Sequence, residues 1–376
     1  KPRALRLAKL QHPAPWVRAL CQELSGKNGI ELEIFSHSRD IYKKYSTRKE
    51  GVKYTFVPKY ESARCDPFHL YFPAFVQFHP LIKKFNPDIV HGFGMERTYG
   101  FLTVNQQKPS VVFIQGIMEK YATYSEMSAF RMGIRKKLEK AVVWKADGLV
   151  AETEFALMWA KSVKSKAKVK LIPHAYTKAF LNGSPDFKRR RIICIGALDR
   201  RKGCTTVIEA FASGIRRNPK LFRQSELLFI GGGPLEDELR GRAKHYKISE
   251  SVLFKGKVVH DKIVREIEKA SFLVIASRMD TSPNVITEAH AVGIPVIGTN
   301  AGGIPEMIEE GRDGFIVPVD DARTMSQRME LLLSNMGNCA KMGQAGREKV
   351  INLNDPSRIA DAHIEFYKEV LSESRK

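Results

Sequence analysis

Short apolar runs alternate along the whole chain with longer stretches of helical spacing. In the first half, ALRLAK (4–9), IELEIF (30–35), KYTFV (53–57), DIVH (88–91), SVVFI (110–114), GLVA (148–151) and VKLI (169–172) read as strands. The second half offers RIICIG (191–196), ELLFIG (226–231), VLFKG (252–256), FLVIAS (272–277), PVIGT (295–299) and GFIVP (314–318). Strands this short and apolar, parted by segments long enough for crossover helices, predict two doubly wound parallel sheets of the α/β class. Between them PHAYTKAFLNGSPDFKRRR (173–191) exchanges periodic hydrophobicity for Pro, Gly, Asn, Ser and a basic cluster, as a linker does. Two domains are expected, 1–175 and 176–357. In the final segment, 358–376, the spacing of Ile359, Ile364, Phe366, Tyr367 and Leu371 predicts a helix that packs back toward the first domain.

Length supports this division, because 376 residues exceed what one core usually holds. No run approaches the roughly 18 to 20 apolar residues of a membrane-spanning helix, and the start, KPRALRLAKLQHPAPW, is broken by charge and proline. The chain reads as soluble, cytoplasmic and without a secretory signal, although it lacks an initiator Met and a trimmed leader stays open. Cys21, Cys65, Cys194, Cys204 and Cys339 are scattered without metal-ligand or Cys-x-x-Cys spacing, which fits free thiols in a reducing cytosol. The net charge is +21, and it is uneven: residues 1–183 carry 31 Lys+Arg against 15 Asp+Glu, residues 184–376 carry 31 against 26. The basic first half suits an anionic partner, or simply a soluble, self-repelling surface.

Ligands of open parallel sheets sit beyond the carboxyl ends of the strands, so the loops there are the places to search. IGALDRRKG leaves a strand through Gly196 and presents Arg200, Arg201 and Lys202, suited to phosphate or to a solvated turn. IGGGPLEDELR places Gly231, Gly232 and Gly233 where backbone approaches a ligand or turns sharply. A dinucleotide fingerprint would want its third glycine where Glu236 stands, which argues against a nicotinamide site. SRMDTSPNVITEAHAVGIPV sets Asp280 in a loop, Ser282-Pro283 as an N-cap with proline at the first helical position, and Glu288 in the helix that follows. The free amides of that helix start attract anions, so a diphosphate flanked by the two carboxylates is expected there. The bland alternative makes Asp280 a loop cap and Glu288 a solvated helix residue. A fourth loop, TNAGGIPEM, adds Gly302, Gly303 and Glu306. Together the four loops argue for a sugar-nucleotide pocket.

SRMDTSPNVITEAHAVGIPVIGTNAGGIPEMIEEGRDGFIVP, with IGALDRRKG, IGGGPLEDELR, VLFKGKV and IPHAYTKAF, resembles the donor site of retaining glycosyltransferases of family 4. The resemblance implies a GT-B fold, two Rossmann-like domains facing across a cleft, with a nucleoside diphosphate sugar bound mainly by the second and a glycan or lipid-linked acceptor mainly by the first. It implies that Glu288 holds ribose hydroxyls, Asp280 the transferred sugar, and Lys202 the diphosphate leaving group. The loop of Thr281, Ser282, Asn284 and Val285 would line phosphate and sugar with its amides, and Gly231 to Gly233 would approach the nucleotide. No metal is implied, and no cofactor beyond the donor itself.

The sequence departs from that family where Asp280 replaces a common Glu and where Gly196-Ala197 replaces a Gly-Arg pair, for which Arg200 or Arg201 could substitute. In the first domain Gln115-Gly116 stands where a histidine often follows the strand, and QHPAPW replaces a glycine pair. Gln115 and His91 are candidate acceptor-side residues, although His91 reads first as a satisfied loop histidine; His12 and His174 are similarly open. FRMGIRKKLEKAVVWK (130–145) places Phe130, Ile134, Leu138, Val142 and Ala141 on one helical face with basic residues elsewhere, suiting either an anionic bilayer or ordinary core packing. The leading expectation is a retaining glycosyltransferase acting on a glycan or glycolipid, peripheral at a membrane face. A noncatalytic glycan- or nucleotide-binding module of the same fold is the alternative, and nucleic acid is not expected, since no recognition motif accompanies the charge.

Overall fold

The computed structural model describes residues 14–59, 71–95, 98–125 and 127–374. The run ALRLAK, His12 and Cys65 lie outside the described residues. The chain divides into two compact units, one of residues 1–122, 126–175 and 356–376, the other of residues 123–125 and 176–355.

In the first unit, α1 (Pro15–Ser25) precedes β1 (Glu33–Ser38), β2 (Tyr45–Lys49) and β3 (Val52–Pro58). β3 pairs parallel with β1 and antiparallel with β2. The pattern of apolar runs missed β2, because YSTRK is polar at nearly every position and none of its residues is fully buried. Its hairpin turns at Glu50-Gly51, both at positive φ, a geometry that matches the twist of paired strands. After α2 (Phe72–Phe85), four parallel strands follow, β4 (Val90–Phe93), β5 (Ser110–Phe113), β6 (Gly148–Ala151) and β7 (Lys168–Leu171), in that spatial order. Between them run α3 (Thr98–Val104), α4 (Met118–Tyr121), α5 (Ala129–Lys145) and α6 (Glu154–Ser162). Every residue of β5 and β6 is buried, as expected of strands covered on both faces.

One of those faces is covered by α1 and by the last helix of the chain, Pro356–Ser374. There Ile359, Phe366 and Val370 pack with Leu20, Leu24, Phe113 and Val150, each such burial contributing about 1.5–3 kcal/mol. Three of the positions expected on its apolar face, Ile364, Tyr367 and Leu371, are only half-buried; Ala360 and His363 take fully buried places instead. The face of α5 also differs from the expected stripe. Met132, Arg135, Glu139, Val142 and Val143 turn inward, whereas Phe130 and Ala141 are exposed. The Glu139 carboxylate explains part of this, because it accepts the backbone N–H of Met118 at 2.6 Å and of Glu119 at 3.3 Å and so caps α4.

The second unit begins with α7 (Lys178–Leu181), which lies within the stretch expected as a linker. Phe180 and Tyr176 are buried in this unit's core, so the segment is packed despite its turn-rich composition. Next come β8 (Arg191–Ile195), α8 (Cys204–Arg217), α9 (Pro219–Arg223), β9 (Glu226–Ile230), α10 (Glu236–His245), β10 (Val252–Phe254) and α11 (His260–Ile267). The unit continues with β11 (Phe272–Ile275), α12 (Asn284–Val292), β12 (Val296–Thr299), α13 (Ile304–Met307), β13 (Gly314–Val317), α14 (Ala322–Ser334) and α15 (Met336–Leu353), and the helix Pro356–Ser374 is α16. All six strands are parallel, in the order β10-β9-β8-β11-β12-β13. Strand order reverses between β8 and β11, and loops leaving their carboxyl ends frame the crevice where such sheets bind ligands.

Candidate active site

The first loop at this switch point leaves β8 through Gly196 and meets the loop that leaves β9. A side chain at Gly231, whose φ is +140, would bring its Cβ within 1.8 Å of the Gly196 carbonyl oxygen. The Gly196 N–H donates to the Ile230 carbonyl at 2.9 Å and that of Leu198 to Gly232 at 3.2 Å. Gly231 and Gly233 thus serve loop-on-loop packing, Gly233 lying against Leu198. Gly232 differs: a Cβ there would meet only the Lys257 side chain, at 3.4 Å.

Asp199 caps a 3-10 turn at Arg200–Lys202, accepting the Lys202 N–H at 2.9 Å, and Gly203 at φ +61 ends it. Lys202 thereby swings onto the β11 loop, where its Nζ donates to Asp280 Oδ2 at 2.5 Å. Arg201 reaches the same oxygen at 3.3 Å and the Met279 carbonyl at 3.0 Å, and the Ser277 hydroxyl donates to it at 3.3 Å. Burial alone would raise the pKa of Asp280, but Lys202 and then Arg201 offset that and hold it below the ordinary carboxylate value. Arg278 ties the two loops together through the Arg200 carbonyl at 2.6 Å and Asp320 at 2.9 Å. Arg200 itself is exposed. Four cations, Arg200, Arg201, Lys202 and Arg278, therefore stand with three carboxylates, Asp199, Asp280 and Asp320, leaving a positive excess at the sheet edge. A recess of about 10 Å³, the size of one water, lies below Lys202 among Gly196, Ala197, Ser277 and Cys204.

Glu288 stands in the second turn of α12 and accepts from or donates to His260 Nε2 at 2.8 Å, according to the imidazole tautomer and the carboxyl's proton. His260 opens α11 and rests against Phe180. Asp280 and Glu288 thus join two separate partnerships, with Lys202 and Arg201 on one side and His260 on the other. The approach to α12 also differs from expectation. Pro283 occupies the N-cap position, and the Ser282 hydroxyl points to Met307 Sδ at 3.7 Å rather than capping the helix. Thr281 and Val285 are buried and Asn284 half-buried, so this loop can offer a ligand its first-turn amides more readily than its side chains. The fourth loop seats directly on the third: Gly302, at φ +58, would place a Cβ 1.9 Å from the Asp280 carbonyl, which accepts the Gly303 N–H at 3.0 Å. Glu306 is exposed on α13.

The candidates of the first unit fall elsewhere. His91 lies in β4, not in a loop, donating to or accepting from the Tyr367 hydroxyl through Nδ1 at 2.7 Å and stacking on Phe93 at 4.4 Å. Burial, reinforced by His363, lowers its pKa well below the usual imidazole value. This is a core histidine of the aromatic cluster under α16. His174 pairs with Glu152 at 2.5 Å, and Gln115 is half-buried just beyond β5. Sequence reading passed over Lys257, Arg278 and His260; only Lys257, one of two lysines in VLFKGKV, offered a visible signal, since the partners of the other two are distant in sequence. Among the described residues no group of three His, Cys, Asp or Glu could hold a metal ion.

The family described as glycosyl transferases group 1 matches residues 182–349. The chain is 28% identical over 184 residues to the N-acetyl-alpha-D-glucosaminyl L-malate synthase of Bacillus anthracis, covering 49% of this chain and 46% of that protein. It is 31% identical over 170 residues to a GDP-mannose-dependent alpha-(1-6)-phosphatidylinositol monomannoside mannosyltransferase of Mycobacterium tuberculosis, covering 43% of each. The matched stretch thus spans less than half the length of these two relatives. Among solved structures, a sucrose-phosphate synthase from Thermosynechococcus elongatus superposes with a TM-score of 0.79 at 21% identity, over 95% of this chain and 93% of that one. With its two Rossmann-like units the chain has the GT-B fold, and residues 182–349 of its second unit match the glycosyl transferases group 1 family.

Proposed function

We propose that the protein is a retaining glycosyltransferase that moves a sugar from a nucleoside diphosphate sugar to a hydroxyl of a glycan or glycolipid. The observation that carries this reading is the convergence of Lys202 and Arg201 on Asp280 at the β8/β11 switch point, with Arg200 in the same turn and the start of α12 next in the chain. As the bond from sugar to diphosphate breaks, negative charge gathers on the departing phosphate, and preorganised cations and amides stabilise it most there. Asp280 Oδ2 is engaged by Lys202, Arg201 and Ser277, which leaves Oδ1 to accept from a sugar hydroxyl. In the same way Glu288 meets His260 through Oε1 and keeps Oε2 for a ribose hydroxyl. Departure from, and attack on, the same face of the sugar keeps its anomeric configuration. The names of the relatives support a nucleotide-sugar donor, one of them being dependent on GDP-mannose and acting on a lipid-borne mannoside.

The test is incubation with a panel of UDP, GDP and ADP sugars and glycan or glycolipid acceptors, following release of nucleoside diphosphate and the anomeric configuration of the product by NMR. Turnover with retention is expected, and Glu288→Ala should reduce it at least about 100-fold, as removal of groups that position substrate does. Turnover undiminished in Glu288→Ala would refute the donor-site assignment; nucleotide-sugar binding with no turnover on any acceptor would favour the noncatalytic reading.

A further inference from the structure

The two carboxylates of the site are held by different chemistry. Lys202, Arg201 and Ser277 all donate to Asp280, whereas among the described residues the Glu288 carboxylate has one partner, the His260 imidazole, Nε2 to Oε1 at 2.8 Å. Helices α7, α11 and α12 pack against one another and form a corner around this pair. His260 is the first residue of α11, Glu288 lies in α12, and the buried Phe180 of α7 sets its ring 5.2 Å from the imidazole. An ionised carboxylate only accepts hydrogen bonds, so it selects the tautomer that carries hydrogen on Nε2. The other ring nitrogen agrees with that choice. Nδ1 is buried and has no hydrogen-bond partner among the described residues, and a bare lone pair is less costly to bury than an orphan N–H. Both side chains are half-buried, and no described residue engages Oε2 of Glu288.

We propose that His260 is a positioning residue that sets ribose specificity: by fixing Oε1 of Glu288 it presents Oε2 in one place, so the site prefers a ribonucleoside diphosphate to its deoxyribose counterpart. The inference rests on the ribose role proposed above for Glu288. Freezing a flexible glutamate during binding weakens affinity, and His260, itself held by Phe180 and the start of α11, makes that loss before the ligand arrives. An acceptor held in place cannot turn to water when a ribose hydroxyl is missing, so the deoxy ligand leaves it unpaired and is rejected. A mobile glutamate turns away and discriminates less. Hydrogen-bond donation is the property assigned to His260, and three substitutions separate it from ring packing. His260→Phe keeps a ring against Phe180 and loses the donor. His260→Gln carries an amide N–H to the place of Nε2, whereas His260→Asn ends near Nδ1 and falls short of Oε1.

The experiment is calorimetric titration of UDP, GDP and ADP, each with its 2′-deoxy and 3′-deoxy forms, into the full chain. Wild type should bind at least one ribose form about tenfold or more tighter than one of its deoxy forms. His260→Phe and His260→Asn should each bring that ratio below about threefold, and His260→Gln should keep it within about twofold of wild type. A merely structural role of His260 would weaken ribose and deoxy forms alike and leave the ratio unchanged. The inference is overturned, with the ribose role of Glu288 intact, if His260→Phe and His260→Asn keep the wild-type ratio while Glu288→Ala abolishes it. It is overturned too if His260→Gln loses as much as His260→Phe. Both the inference and the ribose role fall if wild type binds none of the three diphosphates, if it binds ribose and deoxy forms equally, or if Glu288→Ala keeps the ratio.

Discussion

Asp280 organises more of the second unit than a loop carboxylate ordinarily does. Its side chain holds Lys202 and Arg201, and its carbonyl receives the Gly303 amide, so three of the four loops at the sheet edge meet on one residue. Arg201 stays on Asp280 at 3.3 Å when Lys202 is removed, so Lys202→Met should cost about 1.5–3 kcal/mol in chemical denaturation, while Lys202→Met/Asp280→Leu recovers part of it. Equal stability of the single and double variants would show that the pair is not coupled. Both residues could be nominated from DTSP and DRRKG, whereas their contact could not, because 78 positions separate them and no local rule links the two loops. The same distance hid the His260 partnership of Glu288. Ser282 misled for a local reason: Ser-Pro before an apolar helix has the composition of a cap, yet Pro283 takes the N-cap place itself.

At the scale of elements, burial on both faces made the parallel strands legible, because an apolar run bounded by turns has few other uses in an α/β chain. Where one side of an element meets something other than apolar core, legibility fails. β2 is an edge strand of hydroxyl and basic residues, and the apolar stripe read on α5 ignored the need of α4 for a cap, which draws Glu139 inward. Glycines mark the junctions between loops. In Gly302→Ala the new methyl would lie on the Asp280 carbonyl, so the fourth loop should shift, with a loss of about 1–3 kcal/mol for a strained φ. Gly232→Ala, which meets only the flexible Lys257 side chain, should stay within about 1 kcal/mol of wild type. Melting curves of the two variants compare them directly, and an equal loss in both would remove the loop-packing role assigned here to Gly302.

At the scale of the whole molecule, each unit keeps a buried histidine neutral. Burial lowers His290 in the second unit to about 4, with Asp313 and Lys349 beside it, and lowers His363 in the first to about 4, near His174. The unfolded chain takes up protons near the ordinary imidazole value of about 6.5, while the folded chain resists until about 4. Stability is therefore fully present above the higher value and falls as pH drops between the two, by about 2 kcal/mol per histidine from pH 7 to pH 5. Denaturation midpoints at the two pH values check this, and His290→Gln should flatten the dependence in the second unit.

The central claim is that cations at the β8/β11 switch point grip a nucleoside diphosphate, and calorimetric titration of UDP, GDP and ADP into folded wild type and folded Lys202→Met/Asp280→Leu tests it most directly. Binding of at least one of the three by wild type, weakened in the variant by about 100-fold or more, is the expected result, in keeping with the loss of charge-assisted hydrogen bonds. Equal affinity in the two proteins, or no binding of any of the three by wild type, would contradict it.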